Sequence, residues 1–228
     1  MEQTLKVTNI LSDPTRYSIY ETFINENKQM TVNEVAELFD IHPNVARLHL
    51  SKLNEINLIN AYYKKTGKGG RPSRIYELSD HVIELSFPRR DYKMLAQIML
   101  ESFVDLGDIG KEALYKTGKK YGAQIMYENK INTASLSPKE KIKILEETGT
   151  MLGMYPKFEY DEENPSINLT ITNCPFKELA KTNTTIICNM HNNFLKGMLA
   201  SIFPDVQLTE KENMLKGCNN CKYVAELN

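Results

Sequence analysis

Hydrophobic and polar positions along the first 60 residues alternate at a helical period. Ile19, Phe23 and Ile24 recur at that spacing behind Asp13-Pro14, where an aspartate suits the N-cap and a proline the first helical position. Thr31-Val32-Asn33-Glu34 is a capping box that opens a second helix carrying Val35, Ala36 and Leu38. Asp40-Ile41-His42-Pro43 is a turn, and Pro43 opens a third helix to about Ile56 with Ala46, Leu50 and Leu53 as its buried stripe. Two strand-like runs follow, 58–63 and 75–78. The connector between them, 64–74, holds Lys64, Lys65, Lys68, Arg71 and Arg74, three glycines and no acid. Residues 86–91 look like a linker. Residues 92–129 are helical by pattern, with Leu95, Met99, Phe103 and Leu106 three or four apart. A second capping box, Ser137 to Glu140, starts another helix. The remainder turns strand-rich at 157–160, 167–172, 206–208 and 222–226, with helices expected at 176–181 and 190–203.

These elements predict an α+β chain. Residues 1–88 form a winged helix-turn-helix DNA-binding domain, and residues 89–228 form a helical dimerisation linker and a mixed α/β, cysteine-rich sensor domain. Burying Ala46, Leu50 and Leu53 turns Asn44, Arg47, Leu48 and Ser51 outward on the third helix, the face such a domain offers to a major groove. Asn and Arg can pair bidentately with adenine and guanine, and Ser can meet a base or a phosphate. Lys68, Arg71 and Arg74 put positive charge on a glycine-rich wing suited to phosphates or the minor groove. Arg16 could equally pair with an acid inside the domain.

Composition adds little to this picture. The 228 residues are 25% charged and 41% hydrophobic with a net charge of −1, which excludes a disordered or collagen-like chain. No run reaches the roughly 18 apolar residues of a membrane span, and Met1 to Lys6 lack a signal-like pattern, so a cytoplasmic, membrane-free protein is expected.

The cysteines change the picture more. Cys174, Cys188, Cys218 and Cys221 are the only four, all in the last quarter, spaced C-x13-C-x29-C-x2-C. Without a secretory pattern, such a cluster reads as a metal or redox site. A CxxC turn brings two sulfurs towards one centre, and four thiolates suit tetrahedral zinc or an iron–sulfur cluster. A lone cysteine is otherwise a small buried hydrophobe. His42 and His49 are assigned no metal role, and His191 reads as a helix-surface residue. A CxxC thiol oxidoreductase is the reading from another class. It lacks the helix N-terminus that activates such thiols, and no enzymatic function is expected.

The segment from Ile41 to Ile59, with Asp13-Pro14-Thr15-Arg16 and the Gly70-Arg71-Pro72 wing backed by Tyr76, resembles the ArsR-like winged-helix regulators. Asn57 stands where that family places glycine, and asparagine also tolerates a left-handed helix end. The C-terminal stretch from Asn173-Cys174-Pro175-Phe176 through Cys188 to the final Cys-rich turn resembles the sensor half of SufR-type regulators, iron–sulfur-dependent repressors. That resemblance implies a homodimeric repressor on double-stranded DNA with an inverted-repeat operator. It implies a [4Fe-4S] or [2Fe-2S] cluster on Cys174, Cys188 and Cys221, with Cys218 or His191 as the fourth ligand. Zinc is the alternative occupant.

Overall fold

The computed structural model describes residues 2–64, 72–88, 90–128 and 135–227. The chain divides into two compact units, Met1–Arg90 and Asp91–Asn228.

In the first unit, α1 (Glu2–Leu11) and α2 (Pro14–Glu26) precede β1 (Met30–Thr31), α3 (Val32–Leu38), α4 (Pro43–Glu55), β2 (Ile59–Lys64) and β3 (Ser73–Leu78). The local signals act as expected. Asp13 accepts the Arg16 backbone N–H at 2.8 Å to cap α2. Thr31 and Glu34 close the capping box of α3. Asn57 takes φ 58° after α4. The three strands form an antiparallel sheet ordered β1-β3-β2. Ile19, Phe23, Val35, Ala46, Leu50, Leu53, Ile59 and Tyr76 close the core against it.

Two features go beyond the sequence pattern. α1 adds Val7 and Ile10 to the core, although its run of Lys, Val, Thr and Asn carries no helix signal of its own. β3 begins two residues earlier than expected, because Ser73 and Arg74 pair with Lys64 and Tyr63. Arg74 is therefore a strand residue and not part of the connector.

The second unit opens with α5 (Tyr92–Asp105) and α6 (Gly107–Glu128). The expected single helical stretch breaks at Gly107, whose φ of 61° ends one helix and starts the next. Then come α7 (Pro138–Met151), β4 (Pro156–Asp161), β5 (Ser166–Ile171), the short α8 (Lys177–Ala180), α9 (Thr184–Ala200), β6 (Gln207–Glu212) and β7 (Cys221–Glu226). The sheet is antiparallel throughout, ordered β4-β5-β7-β6. Its buried face carries Ile167, Leu169, Ile171, Tyr223 and Ala225 and packs on Leu145 of α7 and Leu195, Met198 and Leu199 of α9.

α6 and α9 touch backbone to backbone. A Cβ on Gly122 would fall on the Phe194 carbonyl oxygen, and one on Gly197 on the Lys119 carbonyl oxygen. Only glycine permits that approach.

α9 starts six residues earlier than the sequence pattern suggested. Cys188 is consequently inside the helix rather than before it, one turn from His191. His191 falls in phase with Ile187 and Leu195 and is buried, not on the surface.

Candidate functional site

Two polar sites emerge, one in each unit. In the first, α4 presents Asn44, Arg47 and Leu48 to solvent, with Ser51 half-buried behind them. Arg47 Nη1 donates to Asn44 Oδ1 at 3.2 Å, so these two side chains act as a pair. Leu48 is an apolar side chain held 56% exposed on a helix whose opposite face is the core, an arrangement suited to a thymine methyl. Lys68 and Arg71 lie outside the described residues. Arg74 projects from β3 with its guanidinium 5.2 Å above the Tyr76 ring. Arg16 turns inward. It donates to the Ile10 carbonyl at 2.6 Å and sits 3.7 Å from Asp13, locking α1 to α2. His49, on the buried side of α4, approaches Asp13 at 4.0 Å, and burial pushes its pKa below the ordinary value despite that carboxylate.

A cleft of about 500 Å³ lies between α4, the start of α3 and the wing strands. Its walls include Asn33, Arg47, Tyr63, Ser73, Arg74 and Tyr76, and among the described residues no acid lines it. Tyr63, Tyr76 and Asn33 are features that sequence reading missed as site residues. The exposed aromatic at the strand edge, Tyr63 at 66%, was the available signal.

In the second unit, the residue after β5 is pinned by its neighbours. Thr172 Oγ1 donates to the Tyr155 carbonyl at 3.1 Å and Asn173 Nδ2 to the Gly153 carbonyl at 2.6 Å. These bonds hold Cys174 against α9, where its Sγ lies 3.8 Å from His191 Nδ1. The opposite ring nitrogen, Nε2, is 3.3 Å from Met154 Sδ, and Phe176 meets the imidazole edge-on. Burial drives the Cys174 thiol up to about 12 and His191 down to about 4, so both are neutral at pH 7.

Cys221 heads β7 with its side chain on the buried face, and its Sγ accepts the Met214 N–H at 3.4 Å. Burial raises this thiol too, and Cys188 adds to the shift. Cys188 and Cys221 both add to the upward shift of the Cys174 thiol, and both also raise the exposed Lys216. Cys218 follows Gly217 (φ 93°) in the preceding turn and is not among the leading influences on the other thiols. All four cysteines are free.

Three sulfurs from three separate elements thus share one neighbourhood, and their softness suits zinc or iron. They do not stand as an assembled centre: among the described residues, no three His, Cys, Asp or Glu side chains converge closely enough to hold a metal ion. The single close pair of the sequence, Cys218 and Cys221, is divided between a turn and the buried face of a strand.

The winged helix-turn-helix with its outward polar face defines a DNA-binding transcription regulator, and a helix-turn-helix domain model matches residues 11–60. The model of methanogen output domain 1 matches residues 81–225, well over half of the chain, and the chain belongs to that family. No curated protein matches it. Among solved structures, it is similar to a trafficking protein particle complex subunit 3 from Naegleria fowleri covalently bound to palmitic acid. That match has 15% identity and a TM-score of 0.41, covering 60% of this chain and 90% of that one. It is also similar to the phenol-responsive sensory domain of the transcription activator PoxR with phenol, at 14% identity and a TM-score of 0.45, covering 79% and 89%. Among the described residues, no helix is long and apolar enough to cross a membrane.

Proposed function

We propose that the protein is a homodimeric transcriptional repressor on an inverted-repeat operator, governed by the thiol neighbourhood of its output domain. The observation that carries the reading is the pairing, in one chain, of a winged helix with exposed Asn44, Arg47 and Leu48 and a unit that sets Cys174 beside His191, carries Cys188 on α9 and turns Cys221 to the buried face of β7. A dimer presents two copies of α4 to successive major grooves.

The face of α5 supports self-association. Tyr92, Met94, Leu95, Ile98, Met99 and Leu106 are each more than half exposed. A run of exposed apolar side chains of this kind marks an interaction surface.

The finer reading is an iron–sulfur cluster held by Cys174, Cys188 and Cys221. Such a group, when bound, supplies a redox-responsive charge and a cross-link between elements. The chain's own part would be to supply the three thiols, one following β5, one on α9 and one at the head of β7. To change operator affinity, occupancy need only favour one arrangement of the dimer by about 1–3 kcal/mol.

The test is anaerobic purification with visible spectroscopy, iron, sulfide and zinc analysis, followed by DNA binding of the loaded, stripped and oxidised protein. Iron with acid-labile sulfide, and DNA affinity that differs between loaded and stripped protein, is the expected result. Stoichiometric zinc moves the reading to a zinc-dependent regulator. A metal-free protein whose DNA affinity still follows thiol oxidation overturns the cluster and leaves the cysteines themselves as the sensor.

A further inference from the structure

The cleft of the first unit, free of acids among the described residues, is more than a gap beside the DNA-binding helix. Arg47 and Arg74 both line it, one from α4 and one from β3. Among the described residues, neither guanidinium has a carboxylate partner; Arg47 meets an amide and Arg74 an aromatic face. Two fixed positive charges with no neutralising acid make a concave site that favours an anion.

The floor adds an independent sign. Tyr76 is fully buried and sits in mid-sheet between its partners Met30 and Ala61. Its hydroxyl lies beside Ser51 but makes no hydrogen bond of proper geometry, although a buried phenol ordinarily finds a partner. Asn33 and Ser73 add polar side chains at the rim, and the exposed Tyr63 faces Arg74 across the strand pair. A guanidinium pair, a hydroxyl without an acceptor and rim donors are together the complement of a tetrahedral oxyanion with several acceptor oxygens.

We infer that this cleft is a phosphate pocket that seats one backbone phosphate of the bound duplex between Arg47 and Arg74, with Tyr76 and Ser73 as further donors. Arg47 then fixes register on the DNA, and base reading falls to its α4 neighbours Asn44 and Leu48. The inference rests on the DNA-binding reading above and deepens it.

The experiment measures affinity of the full chain for a short duplex of arbitrary sequence over a series of salt concentrations. Wild type, Arg74→Gln and Tyr76→Phe are compared, with circular dichroism confirming that each is folded. Arg74→Gln is expected to weaken binding about tenfold and to reduce the slope of log affinity against log salt by about 1, because one phosphate contact is lost. Tyr76→Phe keeps the ring under Arg74 and loses only a neutral donor. Its affinity is expected to fall severalfold with an unchanged slope. An Arg74→Gln slope equal to that of wild type overturns the pocket.

A second arm titrates inorganic phosphate into wild type and Arg74→Gln. Phosphate binding that Arg74→Gln abolishes, with no change in the duplex slope, overturns the backbone assignment in favour of a free phosphorylated ligand. Failure of wild type to bind any duplex, with phosphate still bound, overturns the DNA-binding reading and the backbone source together while the pocket stands.

Discussion

In the first unit Arg47 and Arg74 stand at the surface beside a closed apolar core; in the second, Cys221 and His191 are buried, and Cys174 packs half-buried against that imidazole. Arg47 and Arg74 line a cleft wall, while Cys174 and His191 are driven neutral by burial. An exposed arrangement of that kind meets a charged polymer without rearranging. The buried thiols must gain a metal, lose protons or form a new bond before they differ from ordinary packing. Under the function proposed above, the two halves have different work: the winged helix recognises, and the output unit changes state.

The largest effect expected from any single change lies at the α6–α9 crossing. Gly122→Val would drive its side chain into the Phe194 carbonyl, and a cost on the order of 3 kcal/mol or more is expected. Chemical denaturation followed by circular dichroism should show the output unit melting early while the winged-helix transition stays in place. A single shifted transition for the whole chain would erase the distinction between the halves.

Next in size, Leu95→Glu together with Ile98→Glu on α5 should convert a dimer to a monomer in light scattering. Unfolding of the monomer should stay within about 0.5 kcal/mol of the parent domain, since both positions are exposed. An unchanged molar mass would remove α5 as the seam.

The cysteines sharpen the comparison further. Cys174→Ser and Cys221→Ser should each abolish the response of DNA affinity to metal loading or oxidation, whereas Cys218→Ser should leave most of it. Equal loss from all three variants would restore the CxxC pair to the site.

The smallest effect concerns pH. Burial lowers the pKa of His49 in the folded state, so as pH falls below its ordinary value of 6.5 the unfolded chain takes up a proton that the native chain does not. Stability of the first unit should therefore be full above that pH and decline below it, and His49→Gln should flatten the decline. Thermal melts between about pH 7 and 5 would read this, and parallel curves for the two proteins would place the titrating group elsewhere.

Local chemistry was legible from the residues alone. The two capping boxes, the aspartate–proline helix start and the left-handed Asn57 are contacts within a few positions of one another, and each appears where its residues demand it. The buried stripe of α4 followed from its period, and with it the outward face carrying Asn44, Arg47 and Leu48. Even there, α1 and the early start of β3 escaped, because each is held by partners more than a turn away: Val7 and Ile10 by the core, Ser73 and Arg74 by β2.

In the second unit the balance shifts. The cysteine cluster was visible as a count and a spacing, but tertiary packing decided where each thiol lies. β7 turned Cys221 inward, α9 carried Cys188, and the bonds from Thr172 and Asn173 set Cys174 against His191. The glycine crossing and the hydroxyl of Tyr76 belong to the same class. By itself the sequence determined the helices with their caps, the α+β class and the inventory of chemical groups, because those depend on neighbours along the chain. Only the tertiary structure decided which groups face one another across elements, since burial and close approach depend on residues that the chain brings together from dozens of positions apart.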